Sequence, residues 1–469
     1  MNVDQQPQRP TRVRYVVMVF LGTLAFLTYF DRVCISSARV VDGIKADLGV
    51  TQQQMGLIMG AFWLAYALFE LPTGRMGDRY GARGTLTRVV LAWSLFTSLS
   101  GAATGFASLL TYRFLFGAGE AGAFPNMARV QSRWLPVASR ARASGLLWLM
   151  ARWGGAFSPL LFGLMMDLVD SHRFRAVLAA IPGLHVLADD KSWRLGFWLS
   201  GAVGLVWVIA FWLWFRDDPA EQRAVNAAER ELITRDAPPE SRGHSMPSGS
   251  WGMLLRTPSL WALGAFYLFG SFGWSFFVSW MPDYFNKHLQ VPYQKSSWLT
   301  AGPLFFGGIS CIVGGALSHA LVARTGRKRL YRAIFPISGA LTACVSMLLL
   351  MHARTPLQAT ILLCLAAAAF DFGQAANWAT IVDLGGRYAG TTAGFINMVG
   401  NLGNAFQPYI GALIIASFGW NTLFVVLAGA YLVAGSMWAF IDPRHPFYER
   451  PAVDSLTATT ASARSLEPA

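Results

Sequence analysis

The sequence predicts an all-α integral membrane protein of twelve transmembrane helices arranged as two six-helix bundles. Three observations carry that expectation. Of 469 residues, 54% are hydrophobic and only 13% charged, about half of the roughly 25% charged residues of a soluble domain. Twelve apolar segments, each near the ~20 residues a helix needs to cross a bilayer, follow one another along the chain. A polar stretch, 216–256, with Pro238-Pro239 and a run of Gly and Ser, divides them into two sets of six. The 18 Trp, 33 Phe and 46 Gly fit packed membrane helices, in which aromatic rings sit at interfaces and glycine lets backbones approach.

The first fourteen residues carry Arg9, Arg12 and Arg14, and an apolar run follows from Tyr15 to Phe30. No small-residue cleavage site follows and Asp31-Arg32 interrupt the run, so it reads as a retained first span and not a signal peptide. Further spans are expected at 53–73, 84–104, 107–130, 141–165 and 195–215, then at 257–283, 297–322, 331–351, 356–382, 391–416 and 420–441. The organisation is therefore a tail (1–14), an N-terminal bundle (15–215), a linker (216–256), a C-terminal bundle (257–441) and a disordered tail (442–469). In the loop 166–194, the apolar piece from Val177 to Ala188 is too short to span and reads as an external interfacial segment.

Charge fixes the expected orientation. Arg75, Arg79, Arg83 and Arg88 flank one loop, Arg129, Arg133, Arg140 and Arg142 another, and Arg324, Arg327, Lys328, Arg329 and Arg332 a third, whereas the loops near 105 and 418 hold no Lys or Arg. Cationic loops stay on the cytoplasmic side, which puts both termini there and the protein in the cell's inner membrane. The net charge of +13 follows from that asymmetry, and no soluble basic patch points to nucleic acid. Cys34, Cys311, Cys344 and Cys364 lie in apolar stretches without CxxC spacing and read as small buried hydrophobes. No metal site or cofactor is expected. With no P-loop, HExxH or GxSxG in a suitable context and the seven His scattered, an enzyme is not expected either.

Several charges fall inside the spans: Asp31 and Arg32 in the first, Arg113 and Glu120 in the fourth, Arg152 in the fifth. Each costs ~2.5–3.5 kcal/mol at a helix centre and needs a partner or a wet cavity. Arg113 and Glu120 are seven residues apart, two turns and about 10.5 Å along one helix face, while the adjacent Asp31 and Arg32 point about 100° apart. A static ion network is one reading. A transport pathway is favoured, because buried ion pairs stabilise poorly and intramembrane charges mark pathways. Polar rows add to this: Asn397, Asn401 and Asn404 in span eleven, Asp371, Gln374 and Trp378 in span ten, Tyr267, Ser271 and Ser275 in span seven. Amides offer donors and acceptors to a polyhydroxylated ligand, and an indole covers a sugar's apolar face. For Asn404 and Asp371 the preferred reading is hydrogen bonding between helices.

The stretch Gly74-Arg75-Met76-Gly77-Asp78-Arg79-Tyr80-Gly81-Ala82-Arg83 follows span two, and a weaker counterpart, Gly315 through Gly326-Arg327-Lys328, follows span eight. Over about residues 15–441 the chain resembles the major facilitator superfamily, whose inner loop between spans two and three has this form. The resemblance implies two bundles rocking about a central site, with Gly74, Asp78, Arg79, Gly81 and Arg83 as the gating motif and Asp78 accepting from basic groups and helix N-termini. Tyr29-Phe30-Asp31-Arg32, Ala65-Tyr66-Ala67-Leu68-Phe69 and Arg113 through Ala121 with Phe124-Pro125 resemble the anion:cation symporter family, which includes bacterial carriers of galactonate, glucarate and hexuronates.

That second resemblance implies Asp31 and Glu120 as proton-coupling carboxylates and Arg32 and Arg113 as their charged neighbours. Tyr66, Trp378 and Asn397 become substrate contacts, and Arg32 and Arg113, once freed from the carboxylates, with Arg152, Gln374 and Asn401 complete the expected binding set. The implied function is proton-coupled uptake of an organic anion, a sugar acid such as an aldonate, aldarate or hexuronate, by a monomer in the bilayer. Uptake of another carboxylate or a phosphate ester is the alternative. A drug/proton antiporter fits less well, since Pro159 follows Ser158 and not glycine. Two residues depart from the family pattern. Glu70 stands where a neutral Gln is usual and reads as a partner for a loop arginine; Arg152 is an extra cation that either binds a second anionic group or neutralises Glu120.

Overall fold

A computed structural model of the chain describes residues 9–40, 44–181, 191–234, 255–385 and 389–442. Among them no strand occurs. The N-terminal half holds α1 (Val13–Val40), the short α2 (Ile44–Leu48), α3 (Gln52–Tyr80), α4 (Ala82–Gly101), α5 (Phe106–Glu120), α6 (Ala123–Trp134), α7 (Val137–Asp170), α8 (His172–Ala180) and α9 (Ser192–Trp214). After α10 (Ala227–Thr234) the C-terminal half holds α11 (Pro258–Ser279), α12 (Tyr293–Thr325), α13 (Lys328–Leu350), α14 (Pro356–Phe372), α15 (Gln374–Gly385) and α16 (Ala389–Met437). Residue Gly419, at φ 81°, bends α16 into two spans.

Seven described segments are long and apolar enough to cross a membrane, the last of them double-length across Gly419. The four other spans are α3, α4, α5 with α6, and α7; α5 and α6 are each short of a full crossing because the chain breaks between them at Ala121-Gly122. Large apolar side chains stay uncovered around the bundle, among them Leu68, Val206, Leu213 and Leu432, a surface suited to lipid and not to water. Prolines 72, 159, 303, 336 and 408 lie inside helices, which neighbouring helices in a bundle tolerate.

Local sequence explains where helices start. Thr51 and Gln54 form a reciprocal capping box at the head of α3, and Thr355 and Gln358 another at α14, each satisfying two otherwise orphaned N–H groups. At the basic face, Asp217 Oδ1 accepts from the Ala82 and Arg83 amides at 2.9 Å, and the Trp134 indole donates to Arg216 O. At the opposite face, Asp47 binds Lys191 and Arg194, and Arg194 also donates to the Gly101 and Ala103 carbonyls.

Each half packs around its own centre, α1 on α7 and α4 on α9 in the first, α11 on α16 and α12 on α14 in the second. The halves meet where α3 lies on α16 and α7 on α12. Towards the opposite face that contact is close: the Ser36 hydroxyl donates to Val278 O at 2.5 Å and the Tyr293 hydroxyl to Pro159 O at 2.8 Å. A Cβ on Gly56 would lie 2.6 Å from Pro408 O.

Several boundaries differ from the sequence reading. The motif expected as a loop is helical through Tyr80, with Gly81 alone, at φ 82°, making the turn. The external segment begins earlier than expected, as α8, and residues 182–190 of it lie outside the described residues. The linker opens with ordered structure, α10, where no helix was expected, because Glu229 has backbone partners to hold. The terminal tails, 1–8 and 443–469, are outside the described residues.

Candidate functional site

Helix α1 carries Asp31 and Arg32 to mid-membrane depth, where both are buried. Glu120 is the last residue of α5, and Gly122, at φ 93°, turns the chain into α6. A side chain at Gly122 would strain the backbone and strike Thr73. The break leaves Glu120 facing α1, and Arg32 Nε and Nη2 converge on a single oxygen, Oε1, at 2.7 and 2.6 Å. Glu120 Oε2 has no hydrogen-bond partner. Around the guanidinium stand the rings of Tyr29 and Tyr66, both 4.7 Å away, and Trp63 at 5.1 Å, a cation–π cage that holds the arginine's plane.

Two neighbours complete this cluster. Arg113 lies over Phe116 at 4.5 Å, and its Nε and Nη1 are buried without a hydrogen-bond partner. Asp31 is within electrostatic reach of Glu120 and Arg113, with its own Oδ1 unpartnered. Arg113 and Glu120 share a helix as expected, yet the direct partner of Glu120 is Arg32, because Arg113 is two turns away along the axis.

A second buried pair joins the halves. Arg152, on α7, donates through Nη2 to Asp371 Oδ1 at 2.6 Å, and its guanidinium lies 4.6 Å from the Trp274 ring. Arg152 therefore does not neutralise Glu120, one of its two expected roles, and the hydrogen bond between helices expected of Asp371 is an ion pair that reaches the other half. Asp371 stands near the end of α14, two residues before Gly373, which stays right-handed between α14 and α15, whereas Gly122, two residues after Glu120, is left-handed. Glu120-Ala121-Gly122 and Asp371-Phe372-Gly373 share an acid-x-Gly pattern, but so do Asp47-Leu48-Gly49 and Asp383-Leu384-Gly385, so the pattern does not single out the buried carboxylates.

Towards the basic face the halves touch again. Asn397 Nδ2 donates to both oxygens of Glu70, at 2.6 and 2.7 Å. Glu70 is therefore paired with α16, its side chain turned into the seam between bundles, and among the described side chains no loop arginine binds it. Trp378 packs beside Trp148 of the other half, at 6.0 Å, and near Tyr267, at 6.4 Å. Of the asparagine row, Asn401 accepts from Asn404 at 3.1 Å. Gln374 accepts from Asn377 at 3.3 Å, and Ser275 binds Asn404 O. The row thus divides between a contact across the seam and contacts within the C-terminal half.

In the motif after span two, Arg83 Nη2 donates to Trp212 O at 2.6 Å and its guanidinium covers the Trp212 ring. Gly74 packs near Pro125, and Arg79 lies against Tyr80. Helix α4 is capped by Asp217, a residue the sequence did not single out; the side chain of Asp78 lies outside what is described. Among the described residues no cluster of His, Cys, Asp and Glu has the makings of a metal site.

Two bundles of apolar helices with buried ion pairs at their centre, one within the first bundle and one joining the halves, are the build of a membrane transporter. The family model described as Major Facilitator Superfamily matches residues 21–408. A probable sulfoacetate transporter of Cupriavidus necator is 30% identical over 436 residues, 92% of this chain and 94% of that one. The hexuronate transporter of Bacillus subtilis (strain 168) is 27% identical over 95% of this chain and 97% of its own length. The D-galactonate transporter of Escherichia coli O6:H1 is 25% identical over 92% and 96%. Among solved structures, an inward-facing, occupied bacterial homologue of the human lysosomal transporter Spinster superposes with a TM-score of 0.67 at 22% identity, over 97% of this chain and 99% of that one, a likeness of fold. The chain belongs to the Major Facilitator Superfamily, and it is a transporter, not an enzyme.

Proposed function

We propose that the protein takes up an organic anion, a sugar acid such as an aldonate, aldarate or hexuronate, by proton-coupled symport and alternating access. The observation that carries this reading is the Arg32–Glu120 pair: a buried guanidinium in an aromatic cage, held by one oxygen of one carboxylate. The relatives named for hexuronate, galactonate and sulfoacetate support the substrate class. The basic face is cytoplasmic on the positive-inside rule, in the inner membrane, and one chain suffices.

Protonation of Glu120 removes the charge that neutralises Arg32. The guanidinium then accepts a substrate carboxylate in its place, through paired, charge-assisted hydrogen bonds. Asp31 and Arg113, the neighbouring buried charges, take part in the same exchange of proton and charge. Tyr66, Trp378, Asn397, Asn401 and Gln374 supply rings and amides for the hydroxylated body of the substrate. Rocking of the halves exposes the site to the cytoplasm, where loss of the proton restores Arg32–Glu120 and expels the anion. Substrate and Glu120 compete for one cation, so proton and anion move together.

In proteoliposomes, Glu120→Gln keeps substrate exchange across the membrane and loses accumulation driven by an acid-outside gradient. Gradient-driven accumulation that survives in the variant overturns the assignment.

A further inference from the structure

The Arg152–Asp371 pair repeats the Arg32–Glu120 pair in three respects. Each guanidinium binds one oxygen of its carboxylate, leaving Asp371 Oδ2 and Glu120 Oε2 without hydrogen-bond partners. Each carboxylate stands two residues before a glycine near the C-terminal end of its helix. Each guanidinium lies on an aromatic ring, and those rings touch: Trp274, under Arg152, is edge-on to Tyr29, under Arg32, at 6.2 Å. Tyr29 is within electrostatic reach of both arginines.

We infer that Arg152 is a second anion-binding group and that the transported substrate is a dianion, one anionic group replacing Glu120 at Arg32 and the other replacing Asp371 at Arg152. This rests on the anion-uptake reading and narrows it to substrates with an anionic group at each end, an aldarate among the sugar acids. The physical reason is compensation. Separating a buried pair leaves an unpaired charge in low dielectric, which is strongly unfavourable unless another charge fills the place. A monoanion fills one place; a dianion fills both.

The two pairs differ in what their exchange does. Arg32 and Glu120 belong to the same half, so substitution there leaves the halves joined as before. Arg152 and Asp371 belong to opposite halves, so substitution at Arg152 opens a strap across the seam. Asp371, once displaced, takes up a proton and keeps the cluster's charge constant. Selectivity for the second anionic group is thereby tied to movement of the bundles.

The test uses the purified full-length protein and two matched pairs of ligands: glucarate with gluconate, and sulfoacetate with acetate. Binding is measured by calorimetry on wild type, Arg152→Gln, Asp371→Asn and the double variant. Wild type binds the dianion of at least one pair about tenfold or more tighter than its monoanion, a step of about 1.4 kcal/mol. Arg152→Gln brings that ratio close to one. Asp371→Asn, which removes the competing carboxylate, raises dianion affinity, a direction that a purely structural bridge does not give. The double variant, which keeps a neutral hydrogen bond across the seam, loses the preference while still folding. Monoanions bound as tightly as dianions by wild type, or a preference that survives Arg152→Gln, overturn the inference and leave anion uptake standing. No binding of any of the four, nor of glucuronate added as the hexuronate control, overturns both.

Discussion

In the proposed mechanism Arg32 is both a fixed charge and an exchangeable ligand. Its Nε and Nη2 address one carboxylate oxygen while its face is covered by Tyr29, Trp63 and Tyr66. Only a planar, delocalised cation meets both demands at once; an ammonium is a compact point charge with no face to stack. Arg32→Lys therefore keeps the formal charge and loses the forked geometry. Its initial rate of substrate uptake at subsaturating concentration falls on the order of tenfold or more, the loss of about 1.4 kcal/mol that one charge-assisted hydrogen bond supplies. A lysine variant with wild-type kcat/KM removes the guanidinium geometry from the mechanism. Glu70 is the converse case, an acidic residue whose sequence position near the basic motif favoured a loop partner. Its real partner, Asn397, is 327 positions away along the chain, and no local pattern carries that information.

At the scale of elements, the linker helix α10 is fastened to the beginning of α1 through Glu229. Its carboxylate accepts from the Val13 and Arg14 amides at 3.1 Å, from Arg14 Nη1 at 2.7 Å and from the Thr11 hydroxyl. It thus caps α1 from outside that helix, meeting N–H groups that have no partner within the first turn. Burial pushes the Glu229 carboxyl up, but hydrogen bonds from Thr11, Arg14 and Val13 outweigh it and hold the group below its ordinary value. A carboxyl depressed in the folded state adds stability above its unfolded pKa and loses it as pH falls through the folded one. Glu229→Gln consequently melts earlier than wild type in detergent at pH 7, by roughly 1 kcal/mol for a lost cap. The difference narrows below about pH 4, under the ordinary glutamate value; an offset that does not change with pH excludes an ionised cap.

Twelve spans, two halves and the buried charges Asp31, Arg32, Arg113, Glu120 and Arg152 were legible in the sequence, because apolar length and intramembrane charge are local signals. Pairing was not. Arg32 with Glu120, Arg152 with Asp371 and Glu70 with Asn397 join residues at least 88 positions apart, and which charge meets which is decided by how helices pack. Asp217 escaped notice because its linker position gives no hint that α4 begins beside it.

For the whole molecule, the charged cluster lies between two layers of contact that join the halves. Towards the opposite face are Ser36 with Val278, Tyr293 with Pro159, and α3 against α16 at Gly56 and Gly60. Towards the basic face are Glu70 with Asn397 and Trp148 with Trp378. Alternating access requires each layer to open while the other holds, so neither is built as a permanent core. The opposite-face layer depends on close backbone approach: a Cβ on Gly60 would run into the carbonyl of Ala405, which is backbone and has no freedom to turn aside. Gly60→Leu therefore keeps α3 and α16 apart at that face without touching any charge of the cluster. Ligand binding measured on the purified variant persists, because Arg32 and Glu120 are unaltered, whereas transport across proteoliposomes falls at least tenfold, since the closed opposite-face layer is one half of every cycle. A cysteine placed at Ser36, at the same seam, becomes more reactive to a membrane-impermeant maleimide in the Gly60→Leu background. Wild-type transport with unchanged labelling refutes the view that this glycine contact closes the carrier.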